Sequence, residues 1–134
     1  MSERSQYLLA LYIVEHRRRP PVAPGRVAEL VGRTSATAIE AFHRFDEEGL
    51  VDYEPYEGVE LTGRGRDVAA DLHETYVTLS WFFRSVLELD DYEDEAMQMA
   101  GVLSSDVAAR LASTLPFEVP DEERGPAPMR TGEE

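Results

Sequence analysis

Residues 26–51 read RVAELVGRTSATAIEAFHRFDEEGLV, and this stretch decides the fold. Val27, Ala28, Leu30 and Val31 recur at helical spacing. Pro24 is tolerated in the first turn of that helix, and Gly32 stops it. Arg33 and Thr34 make the turn. Thr34 or Ser35 then caps a helix over 36–48. Its inward residues are Ala38, Ile39 or Ala41, Phe42 and Phe45, and Gly49 closes it. Helix, short glycine turn, helix is the order of a helix-turn-helix, in which the first helix braces the second.

The flanks extend this unit. Upstream, Ser5 is placed to cap a helix running to about Arg18. Tyr7, Leu8, Leu11, Tyr12 and Val14 or Glu15 would form one apolar face, with Pro20-Pro21 ending the helix. Downstream, 50–54 and 59–61 read as strands around Pro55-Tyr56-Glu57-Gly58, a hairpin signal. Thr62 then caps a long helix over 63–89, with Val68, Leu72, Tyr76, Leu79, Phe83 and Val86 as its stripe. Trp81, Phe82 and Leu87 widen that stripe. Two further helices follow, over 92–103 and from the Ser104 cap to 114. From 116 the chain is rich in proline, glycine and acid, which predicts a disordered tail. The expected fold is mainly α. A winged helix-turn-helix (1–66) precedes a helical dimerisation domain (67–115) and the tail (116–134).

Composition restricts the chemistry. The 134 residues hold 27 acidic and 13 basic side chains, a formal net charge of −14. Every basic residue is arginine, and cysteine is absent. Disulfides, thiolate metal sites and cysteine nucleophiles are excluded. No apolar run approaches a membrane span of about 20 residues, and the expectation is a cytoplasmic protein. A charge of −14 opposes generic nucleic-acid binding, because phosphate contacts need cations. It suits a chain adapted to molar salt, where charges are screened beyond roughly 3 Å. The charge is also unevenly spread. Residues 1–66 carry 11 acidic and 9 basic groups, and 67–115 carry 10 and 2. The near-neutral half is the helix-turn-helix.

A helix braced from behind leaves its outer face free for the major groove of double-stranded DNA. Arg33, Thr34, Ser35 and Thr37 lie at the turn and leading edge of that helix, with His43 and Arg44 further along it. Arg64 and Arg66 follow the hairpin and are the expected phosphate contacts there. Ordinary capping and solvated surface are the competing readings for each. Arg17, Arg18 and Arg19 form the densest cationic run, facing either DNA or the carbonyl end of their own helix. Glu40 on the outer face, and Glu54, Glu57 and Glu60 in the hairpin, are unusual for a DNA reader. Tyr76, Leu79, Trp81, Phe82, Phe83 and Val86 are the expected homodimer interface. Two-fold dimers reading palindromic operators are the usual arrangement.

The residues that carry a family resemblance are Tyr7-Leu-Leu-Ala-Leu-Tyr12, Arg26-Val-Ala-Glu29, Glu48-Gly-Leu-Val51 and Leu61-Thr-Gly-Arg-Gly-Arg66. Asp94-Glu-Ala-Met97 and Leu103-Ser-Ser-Asp-Val107 add to them. Over about 7–115 the chain resembles the diphtheria-toxin-repressor-like family of iron- and manganese-dependent transcriptional regulators, in a salt-adapted, haloarchaeal form. The resemblance implies a DNA-binding homodimer switched by divalent iron or manganese. It covers the family's DNA-binding and dimerisation domains, without the SH3-like third domain of some members. Its metal ligands carry over poorly. Gln6 stands where the family has methionine or aspartate. His73 is kept, Glu93 and Met97 take the next two ligand positions, and Ala100 and Gly101 replace a glutamate-histidine pair. His73, Glu93 and Met97 are the residual metal candidates, and methionine is a soft ligand for a hard ion. Otherwise Met97 and Met99 pack and His73 is a partly exposed helix residue. No cofactor is assigned.

Enzyme readings find no support. Gly63-Arg64-Gly65-Arg66 lacks the strand and lysine of a phosphate loop. The three histidines have no serine-aspartate arrangement around them, and the acids at 90–95 suit a helix start. Three readings stand. The chain is a homodimeric sequence-specific regulator with a degraded metal site, or a winged-helix protein-interaction module without DNA binding, or a metal-responsive repressor with atypical ligands.

Overall fold

The computed structural model describes residues 2–114. The elements are α1 (Ser2–Glu15), α2 (Pro24–Val31), α3 (Ser35–Glu47), β1 (Val51–Glu54), β2 (Gly58–Leu61), α4 (Gly63–Ser85), α5 (Tyr92–Met99) and α6 (Ser105–Thr114). The fold is mainly α, with a two-stranded antiparallel wing pairing Val51 with Leu61 and Tyr53 with Val59. The expected tail over 116–134 lies outside the described residues.

The helix-turn-helix forms as its local chemistry dictates. Gly32 adopts a left-handed φ of 82°, and both its N–H and that of Arg33 return to the Ala28 carbonyl. That satisfies the end of α2 and turns the chain. Thr34 then caps α3, its hydroxyl accepting from the Thr37 N–H at 3.2 Å. Val27, Ala28, Ala38, Phe42 and Phe45 are buried between the two helices and α1.

The wing is held from two sides. The Tyr53 N–H donates to the Asp46 carboxylate of α3 at 2.9 Å. Val22, in the α1–α2 connection, exchanges both backbone hydrogen bonds with Val59 of β2. A Cβ on Gly58 would come within 2.6 Å of the Val22 carbonyl oxygen, so this close approach requires glycine.

Two cores share α1. One joins Leu8, Leu11, Val27, Phe42, Phe45, Val51 and Val59. The other joins Leu9 and Ile13 to Tyr76, Val77, Leu79, Ala96 and Ala100. Every residue from Tyr7 to Val14 is buried. The single apolar face expected for this helix is therefore corrected: α1 is apolar all round because it is packed all round. Its bounds differ too. It starts before Ser5, which lies inside it rather than capping it, and it ends at Glu15 rather than Arg18.

Further differences lie in the long helix. α4 ends at Ser85, not 89. Glu88 takes a φ of 58°, and the Leu87 and Leu89 N–H groups turn back to the Phe82 and Phe83 carbonyls. Its buried stripe runs through Gly65, Ala69, His73, Tyr76, Val77, Leu79 and Ser80; of the expected stripe Tyr76 and Leu79 are buried, while Val68 and Val86 are exposed. Small residues win the inner face because α4 approaches closely: a Cβ on Gly65 would lie 1.8 Å from the Leu50 carbonyl oxygen. α5 ends at Met99 rather than 103. The expected boundary at 66/67 falls inside α4.

Candidate functional site

The exposed side of α3 is built from Ser35, Ala36, Glu40, His43, Arg44 and Glu47, with Thr37 and Ile39 half-buried. At its leading end Thr34 and Thr37 share a hydrogen bond at 2.9 Å, and both lie toward solvent. Arg33 is exposed beside them. Ser35 packs toward α2, its Oγ 3.2 Å from where a Gly25 Cβ would lie. Arg33, Thr34, Ser35 and Thr37 therefore lie on one edge, the first three exposed and Thr37 half-buried.

The other candidates sit elsewhere and are largely engaged. His43 meets Tyr53 of the wing edge-on at 5.1 Å. Arg64 donates to the Glu48 carbonyl at 3.0 Å, and Arg4 forms an ion pair with the Glu48 carboxylate. Glu48 thus gathers Arg4, Arg44 and Arg64 at the trailing end of α3. The Arg4 hydrogen bond, and then the charges of all three, hold its carboxyl below the usual range.

Arg66 is not placed as a phosphate contact. It donates to the Glu15 carboxylate at 2.8 Å and to the Leu61 carbonyl at 3.2 Å. Glu15 is buried to within 2% of full burial and also accepts from the Leu61 N–H at 2.7 Å. This clasp ties α1, β2 and α4 together. Sequence reasoning placed Glu15 on a face and missed that role. It also missed Tyr56, a fully exposed aromatic at the wing tip with a φ of 72°. An aromatic in a hairpin turn, where no core can take it, was the available signal.

The expected interface residues divide. Tyr76 and Leu79 are buried within the chain and are not available to a second copy. Trp81, Phe82 and Phe83 are half-buried, and Val86 is exposed together with Leu87 and Leu89. Arg84 stacks over the Trp81 and Tyr92 rings, fastening the end of α4 to α5.

The residual metal candidates do meet. His73, Glu93 and Met97 line one cavity of about 140 Å³ between α1, α2, α4 and α5. His73 is buried, not partly exposed, and its Nε2 has no hydrogen-bond partner. Burial, aided by the charge of His16, lowers its pKa to about 4, so the ring is neutral at neutral pH. Asp94 lines the cavity as well, yet with methionine as a soft ligand the donor set is poor for a hard divalent ion. Among the described residues no three His, Asp or Glu side chains group to hold a metal. Arg17, a cation, lines the same cavity. Ala100 is buried without a donor. Gly101 lies against Ser5, where a Cβ would come within 2.3 Å of that side chain, so this position admits no ligand residue. Among the described residues no helix is long and apolar enough to cross a membrane.

Comparison with known proteins agrees with this architecture. Residues 1–59 match the model of the iron dependent repressor N-terminal DNA binding domain. An uncharacterized HTH-type transcriptional regulator of Methanocaldococcus jannaschii is 26% identical over 107 residues, 78% of this chain and 86% of that protein. The diphtheria toxin repressor of Corynebacterium glutamicum is 27% identical over 111 residues, 81% of this chain and 48% of the repressor. A solved manganese-dependent transcriptional repressor in complex with manganese aligns with a TM-score of 0.72 at 27% identity, over 82% of this chain and 51% of that one. The chain spans about half the length of these last two proteins.

Proposed function

Taking the chain as a diphtheria-toxin-repressor-like regulator with an iron-dependent-repressor DNA-binding domain over residues 1–59, we propose that it is a sequence-specific transcriptional regulator, not an enzyme, that acts as a homodimer without the family's metal. α3 enters the major groove leading with Arg33, Thr34, Ser35 and Thr37, and Arg44 and Arg64 approach the backbone from its far end. The observation that carries this reading is the exposed Arg33–Thr37 edge on a helix fully braced from behind. Two copies joined through Phe82, Phe83 and Val86 present two such heads to a palindromic operator. Reliance on salt-tolerant direct contacts accords with the −14 charge and the all-arginine composition.

Metal independence is supported by the Arg17 guanidinium in the cavity and the donorless Ala100 and Gly101. The test is fluorescence anisotropy with the chain's own promoter in molar potassium chloride, with and without chelator and manganese. Expected is saturable binding that neither addition changes, and a loss of tenfold or more in Arg33→Ala and Arg44→Ala. Glu40, Glu47 and the acidic wing favour a second reading, a winged-helix module for protein partners. Absence of specific DNA binding, with both substitutions silent, would select it.

A further inference from the structure

A groove of about 490 Å³ opens beside the His73 cavity, lined by Val14, Arg17, Arg18, Arg26, Glu29 and Leu30. Arg17 and Leu30 line both spaces, so groove and cavity adjoin. In a chain of net charge −14, three arginines face one carboxylate, Glu29, in this groove, while Glu93 and Asp94 lie in the adjoining cavity, so the anion end of a ligand belongs in the groove. What sets the three arginines apart from Arg19 and Arg44, which likewise have no side-chain hydrogen bond or ion pair among the described residues, is that they line one concavity. Arg4, Arg64 and Arg66 are each tied to Glu48 or Glu15. Among the described residues, Arg17, Arg18 and Arg26 have no side-chain hydrogen bond or ion pair. The end of α1 is closed by the His16 ring on the Tyr12 carbonyl and by the Arg17 and Arg18 N–H groups on the Val14 carbonyl, which leaves the two guanidinium groups free of that task. Three unpaired guanidinium groups around one concavity are suited to a planar or tetrahedral oxyanion, which each can bind through two N–H groups.

The second observation is His73. A buried ring nitrogen without a partner leaves a hydrogen-bonding site unused in the wall of the inner cavity. Such a group is costly to bury and is ordinarily satisfied by protein, water or ligand. Tyr76 beside it supplies an aromatic wall. The inner cavity alone is too small for more than a few atoms. The adjoining groove is by itself within the range of small-molecule sites, roughly 300–1,000 Å³, with Arg17 and Leu30 lining both spaces.

We propose that the groove and cavity form a binding site for a small organic oxyanion, a phosphorylated or polycarboxylate metabolite. Its anionic group sits among Arg17, Arg18 and Arg26, and its polar body reaches the His73 imidazole. The site lies between α1–α2, which carry the reading head, and α4–α5. Occupancy therefore bridges head and body where the resemblance would have placed a metal. That regulatory consequence rests on the DNA-binding reading; the binding itself does not.

The test is calorimetric titration of the full chain, without DNA, using inorganic pyrophosphate, glucose 6-phosphate and citrate as probes. Saturable heat is expected with all three probes, and the stronger of the two organic ones tells phosphate from carboxylate chemistry; heat with pyrophosphate alone would overturn an organic ligand. Arg17→Gln with Arg26→Gln should weaken binding tenfold or more, and both residues are exposed, so the fold survives. Arg110→Gln on α6 should change nothing. His73→Asn should weaken the organic probes while sparing pyrophosphate, which reaches only the arginines. No saturable heat with any probe would overturn the proposal, as would binding indifferent to the Arg17/Arg26 pair. Anisotropy with promoter DNA is a separate measurement, so the site can fail while DNA recognition stands, and the reverse.

Discussion

Two buried groups decide most at the scale of single residues. Glu15 receives two donors from two elements, the Leu61 N–H and the Arg66 guanidinium. Glu15→Gln supplies one acceptor oxygen where two oxygens serve now, and its NH₂ must face a donor. Arg66 is 45% exposed, so water screens part of the pair. The expected destabilisation is about 2 kcal/mol, below the range for breaking a fully buried pair, read by urea unfolding. His73 sets a pH dependence. Unfolded, the imidazole protonates near 6.5; folded, it resists until about 4. Between those values the unfolded chain holds the extra proton. Stability is therefore complete above pH 6.5 and declines as the pH falls toward about 4, by about 3 kcal/mol in full. His73→Leu should flatten that part of the urea-unfolding profile. A wild-type profile already flat there would contradict the buried, neutral ring.

At the scale of elements, α4 seats its first turn against the strand entry. Thr62 caps it by accepting from the Gly65 N–H at 3.1 Å, and its own hydroxyl donates to the Gly49 carbonyl at 2.7 Å. Gly65→Ala puts a Cβ into the Leu50 backbone and should cost about 3 kcal/mol, the upper end of overpacking. Gly63→Ala, two residues earlier, meets nothing within 4 Å. It should be neutral or stabilise by about 0.5 kcal/mol through the unfolded chain. Thermal melts of the two variants give the contrast. The elements legible in the sequence were those whose ends are written locally: Pro24 and Gly32 for α2, Thr34 for α3, Thr62 for α4. What was not legible depended on distant neighbours. The inner face of α4 belongs to Ala69, His73 and Ser80 because α1 and α5 pack there, whereas apolar spacing alone favoured Val68 and Val86. Arg66 reads as a phosphate contact until Glu15, 51 positions away in the chain, is found beside it.

For the whole molecule, charge and assembly oppose one another. The proposed homodimer joins surfaces around Phe82, Phe83 and Val86, on a segment with 10 acidic and 2 basic residues. Two copies bring like charges together, so dilute salt favours dissociation. Raising salt from 0.1 M to 1 M shortens the screening length from about 10 Å to about 3 Å and relieves the repulsion. The head behaves in the opposite way. Each phosphate contact through Arg33, Arg44 or Arg64 releases counterions, so a single head binds less tightly as salt rises. A palindromic operator requires both heads on one dimer. Its apparent affinity should therefore rise with potassium chloride while the dimer assembles, pass through a maximum, and fall once counterion release dominates. Val86→Glu, at an exposed position, should leave the fold intact, shift sedimentation toward monomer and leave only the falling limb. A wild-type affinity that falls steadily from the lowest salt, in a chain that sediments as dimer throughout, would mean that the acidic helices do not repel across the interface and that −14 has no part in assembly.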